Sequence, residues 1–522
     1  MARISITKTD LELAWHRLKL DRPDRCFYTP PFILSWISPN IPSWLNSISK
    51  TISQGYMPHD SFKCYVPKGG WLVRPGSVLT LEDEIVYNAI LGKEFSKIHS
   101  KLKWSQGDPD IAYQLQGGSR NKKWIRSGFL VWREWRQRSI RKLKSDISQV
   151  VFTDISGFYD NIDLNILRSD LNSIGFDPLL LELLMNCLNR WSNPKGRGIP
   201  QGYSGSDILA KVYLNQINNA LRNAGYKHLH YVDDFRIFCK SILEAKKSIS
   251  YLTELLRNRG LNLQAAKTKI LPKERAIQKI DGIAPVIDEI QNELRKELTE
   301  IGGYSSYATL EYLNSIIESN PEAPAPEILE RAFEDRFLIS DEDVFDTTLF
   351  HYLLTRLEKI NSRIAVAYCL DLLRRRPEET EVILRYFSGI KIKRDEILAI
   401  IKYCESSDAI YDYQLFQIVK WFYERQNFPK RLIKLCRKWY FDRNKAIWLR
   451  SYCLAVIGVG GISADLEIIE NSYGSATNEL EKAEIITALT RMEIGRRNSF
   501  YGRVKGDGEL VSWAIQCVRG TK

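Results

Sequence analysis

No apolar run in this chain is long enough to cross a bilayer. The longest stretch near the C-terminus, Ser451 to Ile462, falls short of the ~20 residues a spanning helix needs and contains glycines. No secretory signal is evident and no low-complexity tract interrupts the sequence, which excludes a mucin-like or collagen-like chain. Cysteines at paired, metal-type spacing are also missing. The nine present are scattered, which excludes a disulfide scaffold or a Cys/His metal cluster and fits reduced thiols in a cytoplasmic protein that touches no membrane. Acidic residues are outnumbered: 75 Lys and Arg face 63 Asp and Glu, a net charge of +12 that favours a polyanionic partner.

What is there is a globular composition, 44% apolar and 26% charged, over 522 residues, enough for two or three domains. Residues 1–66 read as mostly helical, with breaks at Tyr28-Thr-Pro-Pro31 and Gly55-Tyr-Met-Pro58. In residues 67–92 the pair Gly69-Gly70 predicts a tight strand turn that puts Lys68 and Arg74 on neighbouring strands. Thr80 then caps a helix opening with Glu82, Asp83 and Glu84, where acids favour the dipole. Two cations on such a hairpin can clamp a triphosphate; two solvated surface cations fit the same pattern. Residues 117–144 hold ten Lys or Arg and one acid, Glu134, interleaved with Trp124, Trp132 and Trp135. The alternatives there are a nucleic-acid track, cations on phosphates and rings on bases, or an amphipathic helix with its tryptophans inward.

The chemistry concentrates in 149–271. Val150 to Ile155 reads as a buried strand delivering Asp154 at its end, and a carboxylate there needs a partner. Residues 196–225 follow with Gly-Arg-Gly-Ile-Pro-Gln-Gly, whose glycines let backbone approach a ligand, and then a helix from about Ile208 to Ala224. Residues 228–240 read as a β-hairpin with Asp233 and Asp234 at its turn. Two like charges side by side near a core repel unless a cation sits between them, and magnesium, a hard oxygen-seeking ion, suits them. A helix from about Leu243 to Arg259 ends at Gly260, and a short strand carries Lys267 and Lys269. The order predicts an α+β domain whose antiparallel sheet brings Asp154 beside Asp233 and Asp234.

With these residues in view, roughly residues 60–275 resemble the fingers and palm of a reverse transcriptase. Thr153-Asp-Ile-Ser-Gly-Phe-Tyr-Asp-Asn-Ile162 resembles the first carboxylate motif, Ile199-Pro-Gln-Gly202 the template- and nucleotide-positioning motif, and Tyr231-Val-Asp-Asp234 the second carboxylate motif. Gly260-Leu-Asn-Leu263 with Lys267-Thr-Lys269 resembles the following lysine motif. The resemblance implies two magnesium ions, with manganese as the alternative, held by Asp154, Asp233, Asp234 and the backbone carbonyl of Ile155. It further implies a triphosphate gripped by Lys68 and Arg74, template or nucleotide contacts from Gln201 and Gly202, and a leaving group protonated by Lys267. Tyr159 takes the place of the ring that excludes a ribose 2′-hydroxyl. The sequence departs from intron-encoded and retron relatives where Ser206-Asp207 replaces Ser-Pro and Lys211 replaces a common Asn.

Residues 285–522 predict helix after helix, from 287–301 and 307–318 through 476–495, without a clean repeat, a catalytic constellation or a thumb-like segment. The expected organisation is an N-terminal and fingers region (1–148), a palm (149–284) and an all-α HEAT-like repeat domain (285–522). That architecture resembles the abortive-infection (AbiK-like), defence-associated bacterial reverse transcriptases. The resemblance implies DNA synthesis from dNTPs in antiphage defence, sometimes template-independent and primed from a protein tyrosine, in a homo-oligomer, with single-stranded DNA as product and RNA as a further partner. Tyr28 and Tyr56, beside the N-terminal breaks, and Tyr501, in the flexible-looking Phe500-Tyr-Gly502, are the priming candidates. Two alternatives stand: a templated reverse transcriptase copying a dedicated RNA, and a non-catalytic scaffold, which three clustered acids disfavour.

Overall fold

The computed structural model describes residues 4–25, 27–102, 108–117, 120, 123–126, 128–144, 146–281, 326–339 and 345–520. These group into two compact units. One comprises the described residues of 1–29, 41–64 and 76–281, the other those of 30–40, 65–75 and 282–522.

The first unit begins with helix α1 (Lys8–Arg25). Helix α2 (Ile33–Ile37) belongs to the second unit, and α3 (Ile41–Gly55) returns to the first. Strands β1 (Phe62–Lys68) and β2 (Leu72–Val78) form a two-stranded hairpin, turning through Gly70 (φ 77°) and Trp71 (φ 63°) as the glycine pair predicts. Its tip, Tyr65–Pro75, is counted with the second unit. Thr80 caps α4 (Leu81–Lys101), accepting from the amide of Asp83 at 3.1 Å. Most of that helix is buried, and Asp83 in its first turn accepts from the Tyr56 hydroxyl (2.7 Å) and the His59 amide (3.2 Å).

Helix α5 (Gly128–Leu143) precedes the central sheet. The sheet runs β4 (Lys227–Tyr231), β5 (Asp234–Cys239), β3 (Gln149–Asp154), β6 (Lys269–Pro272) in spatial order, every pair antiparallel. Between β3 and β4 lie α6 (Phe158–Asn161), α7 (Leu164–Ile174), α8 (Pro178–Trp191) and α9 (Ser204–Asn223). Helix α10 (Ile242–Arg257) links β5 to β6, and α11 (Lys273–Asp281) follows β6. Alternation gives the sheet two covered faces. Val150, Phe152 and Phe238 join Trp135 of α5 and Ala276 and Ile280 of α11 in one core, while α9 and α10 pack on the sheet from the other side. Gly205 of α9 lets that helix meet α4 closely: a Cβ there would stand 2.7 Å from Leu91 and 2.9 Å from Tyr87.

The second unit continues with α12 (Pro326–Phe333), α13 (Thr347–Lys359), α14 (Val366–Arg375), α15 (Thr380–Gly389), α16 (Arg394–Cys404), α17 (Asp412–Glu424), α18 (Lys430–Phe441), α19 (Ile447–Gly460), α20 (Ser463–Ser472), α21 (Glu479–Ala488), α22 (Ile494–Val504) and α23 (Glu509–Gly520). Packing alternates: α13 meets α15, α15 meets α17, α17 meets α19, α19 meets α21 and α21 meets α23. The helices of this layer start at Thr347, Thr380, Asp412, Ile447, Glu479 and Glu509, thirty to thirty-five residues apart, a regularity the sequence did not display. Trp36 of α2 adds to the same unit, its indole donating to the Thr487 hydroxyl at 2.9 Å. The expected helices at 287–301 and 307–318 lie outside the described residues. Among the described residues no helix is long and apolar enough to cross a membrane.

Candidate active site

The site forms where β3 ends. Asp154 is paired directly with Asp234, the first residue of β5, in the antiparallel register, so one face of the sheet carries both carboxylates on adjacent strands. The two turn residues of the β4–β5 hairpin are Val232 and Asp233; Tyr231 and Asp234 close it. The aspartates therefore straddle the strand start rather than sharing the turn. Asp233 is tied to β3 by its carbonyl, which accepts from the Ile155 amide at 3.0 Å. Three acidic groups are thereby gathered at one end of a buried sheet. Burial pushes the Asp234 carboxyl up to about 6; Arg236 beside it pulls the other way, and Asp154 and Asp233 add to the rise.

A second clamp joins β3 to the lysine motif. The Asp154 carbonyl accepts from Gln264 (2.7 Å), the Ser156 amide donates to Asn262 (2.8 Å), and the Thr153 and Thr268 hydroxyls share a hydrogen bond of 2.7 Å. Lys267 is not on a strand, as expected, but on a 3₁₀ turn (Ala265–Lys267) ahead of β6. The turn swings its ammonium onto the Asp154 carboxylate.

The positioning motif lies against α6. Gly157, at φ 55°, turns the chain out of β3 into this short helix. The Ile199 amide donates to the Tyr159 carbonyl (3.0 Å) and the Gly198 amide to Ile162 (2.8 Å). Gly198 is required there: its φ is 85°, and a Cβ would meet the Asp160 carbonyl at 3.1 Å. Gln201 reaches Asp160 at 3.5 Å, Gly202 takes φ 90°, and the Tyr159 hydroxyl donates to the buried Asp207 carboxylate at 2.7 Å. Asp207 thus holds the ring of Tyr159 in place.

Other expected residues are placed differently. Lys68 and Arg74 are exposed on the two hairpin strands and belong to the second unit. Trp124 and Trp135 are buried, under the guanidinium groups of Arg17 (4.3 Å) and Arg236 (3.5 Å); the inward-facing alternative holds for both, because their ring area is worth more in the core than on a solvated helix. The side chain of Trp132 lies outside the described residues. Tyr28, Tyr56 and Tyr501 are not presented to a cleft. Their exposures are 5%, 5% and 0%, and Phe500-Tyr-Gly502 lies inside α22, so Tyr501 packs inward and donates to Ile486. The basic runs of the helical unit are matched by acids: Arg374 with Asp408, Arg375 with Asp371, Arg431 with Glu405.

Sequence reasoning missed two cations near Asp234. Arg236, two residues on, shares its face, and Lys279 of α11 stands 4.5 Å over the Phe152 ring, two residues before Asp154. Strand alternation was the available signal for Arg236; nothing local marks Lys279. Burial lowers the affinity of both for a proton, Arg236 to about 10.

As placed, no three His, Cys, Asp or Glu side chains converge as a metal cage among the described residues. The donor set nonetheless suits magnesium: oxygen donors only, few enough to leave room for phosphate oxygens and water, with an ammonium already drawn to Asp154 where a cation is favoured.

A four-stranded antiparallel sheet with carboxylates paired at the ends of its two central strands, backed by helices, defines a palm of the nucleotide-polymerising type. Residues 85–279 match the family described as "Reverse transcriptase (RNA-dependent DNA polymerase)". A reverse transcriptase domain is thus present over less than half of the chain's length. A search of curated proteins gives no match. Among solved structures the chain is similar to apo telomerase from Candida tropicalis truncated from its C-terminal domain (15% identity, 44% of this chain and 55% of that one, TM-score 0.30). It is also similar to telomerase in complex with a TWJ fragment of telomeric RNA from Candida albicans (12%, 70% and 70%, TM-score 0.32) and Candida tropicalis (12%, 86% and 68%, TM-score 0.31). The chain spans about half the length of the first of these.

Proposed function

We propose that this protein synthesises DNA from dNTPs by metal-assisted nucleotidyl transfer, in the cytoplasm and in the service of antiphage defence. The observation that carries the chemistry is the direct pairing of Asp154 with Asp234, with Asp233 tied to the same strand end. In this reading Asp154, Asp233, Asp234 and the Ile155 carbonyl hold two magnesium ions, or manganese. When bound, these ions lower the pKa of the attacking hydroxyl and neutralise charge on the departing pyrophosphate. The hydroxyl oxygen, its proton passing to water, forms a bond to the α-phosphorus as the bond to pyrophosphate breaks. Lys267 holds a proton within reach of that centre and gives it to the leaving group. Tyr159, braced by Asp207, fills the space a 2′-hydroxyl would need. Gln201 and Gly202 position template or nucleotide.

The defence assignment is supported by the architecture: a palm followed by stacked helical pairs that we read as HEAT-like, with a repeat somewhat shorter than is usual for that type. The same resemblance supports a homo-oligomer and priming from a tyrosine. Since Tyr28, Tyr56 and Tyr501 are buried, such priming requires local opening to bring a hydroxyl within ~3–3.5 Å of the α-phosphate. The competing reading, a templated enzyme copying a dedicated RNA, differs in one experiment. Purified protein is incubated with Mg²⁺ and labelled dNTPs, with and without RNA and primer, and resolved on denaturing protein and DNA gels. Label that stays with protein after boiling in detergent and is released by protease supports protein-primed synthesis. Label only in free DNA, dependent on added RNA and primer, supports the templated enzyme. No incorporation under any condition refutes both.

A further inference from the structure

The turn that carries Asp233 is strained, and a buried histidine holds it from behind. Val232 takes φ 57°, a left-handed conformation that a β-branched residue resists and that persists only where its surroundings fix it. Two hydrogen bonds supply that fixing. On the β3 side the Asp233 carbonyl accepts from Ile155. On the other, the Val232 carbonyl lies 2.8 Å from Nδ1 of His230. A carbonyl only accepts, so the histidine proton sits on Nδ1, and Nε2 faces Asp110 at 3.9 Å.

His230 is held firmly, although its buried Nε2 has no hydrogen-bond partner among the described residues. It is wholly buried, and its ring stacks on Phe235, its cross-strand partner, at 4.5 Å and 7°. Its backbone is gripped on both sides by one segment: its amide donates to Pro109 (2.8 Å) and its carbonyl accepts from Ile111 (3.0 Å). That segment is fastened to α9 by Lys211, whose ammonium reaches the Asp110 carboxylate (2.7 Å) and the carbonyls of Asp110 (3.3 Å) and Ala112 (3.2 Å). A buried lysine is costly unless compensated in this way. The links run from α9 through Lys211 to the 109–111 segment, from that segment's backbone to the His230 backbone, and from the His230 ring to the Val232 carbonyl.

We infer that His230, backed by the Asp110–Lys211 pair, is a positioning residue for nucleotidyl transfer: it keeps the Val232–Asp233 turn in the one conformation that sets Asp233 beside Asp154 and Asp234. This rests on the function proposed above only in assigning metal ligation to Asp233. Packing alone would ask merely for an aromatic ring against Phe235; positioning asks for a donor at the δ position.

Three variants separate these. His230→Phe keeps the ring and loses the donor. His230→Asn keeps a donor at the same position and loses the ring. His230→Phe with Val232→Gly removes the donor and the strain together, since glycine adopts positive φ unaided. Mn²⁺ affinity of the full chain, measured by titration calorimetry, is read beside kcat, KM for dNTP and melting temperature. His230→Phe is expected to weaken Mn²⁺ binding about tenfold and lower kcat ~10–100-fold, with KM little changed, as displacement of one group by about an ångström does. His230→Asn keeps most of both, and the added Val232→Gly restores most of what His230→Phe loses. Overturning results are Mn²⁺ affinity and kcat unchanged in His230→Phe, or losses in all three variants that follow melting temperature with no recovery from glycine. If Mn²⁺ binding follows the expected pattern while wild type incorporates no nucleotide, the positioning role stands and the polymerase reading falls.

Discussion

Lys267 closes an ion pair on Asp154 from a turn 113 residues further along the chain. The lysine side chain is 56% exposed, so the pair adds little to stability, about 0–1 kcal/mol. In the proposed reaction its effect belongs to the chemistry. Replacing it as Lys267→Met removes the competitor for the Asp154 carboxylate and the proton donor at once. Half-saturating Mg²⁺ should fall while kcat drops ~10²-fold or more, with melting temperature unchanged. Titrating Mg²⁺ against incorporation rate checks both; an unchanged kcat would refute the acid role.

Asp233→Asn should abolish incorporation without loss of fold. The substitution keeps the backbone tie to Ile155, removes one of three clustered negative charges and relieves their mutual repulsion. Incorporation and melting temperature measured on the same preparation decide it: a well-folded variant with normal incorporation would sink the ligand assignment.

At Tyr159, two substitutions ask different questions. Tyr159→Ala empties the space beside C2′, so ribonucleotides should be used while dNTP use falls modestly. Tyr159→Phe keeps the ring but takes one donor from the buried Asp207, at a cost of about 1–3 kcal/mol in stability with sugar choice intact. Competition between dNTP and rNTP, read with thermal unfolding, separates steric exclusion from bracing.

Glu484 on α21 provides a pH prediction for the helical unit. Burial raises its carboxyl to about 8, the Ser451 hydroxyl that it accepts from opposes the rise, and Glu481 adds to it. Between its ordinary value near 4.5 and about 8 the folded chain keeps a proton that the unfolded chain has released. The contribution is therefore fully present below 4.5 and is lost as pH rises through that window, by up to about 1.4 kcal/mol per pH unit. Glu484→Gln keeps an acceptor for Ser451 and should flatten this slope, leaving the variant more stable than wild type at pH 8–9. Denaturant unfolding at pH 5, 7 and 9 tests it, and parallel slopes in the two proteins would refute it.

By itself the sequence determined the elements. Val150–Asp154 is a strand because its β-branched and aromatic run suits nothing else, Thr80 starts a helix because its side chain satisfies the free amide of Asp83, and the helices from Thr347 onward follow their apolar spacing. The carboxylate motifs were legible because their chemistry is carried by adjacent residues. What only the tertiary structure decided was long-range partnership: the register that sets Asp154 opposite Asp234, the reach of Lys267 to Asp154, Lys279 over Phe152, and His230 beneath Val232. The fates of Trp135, Tyr56 and Tyr501 belong with these, since an aromatic ring at a chain break or on a basic helix has the same local pattern whether it faces a ligand or a core. Local spacing records which face a side chain takes; which distant strand or helix covers that face depends on how the whole chain closes.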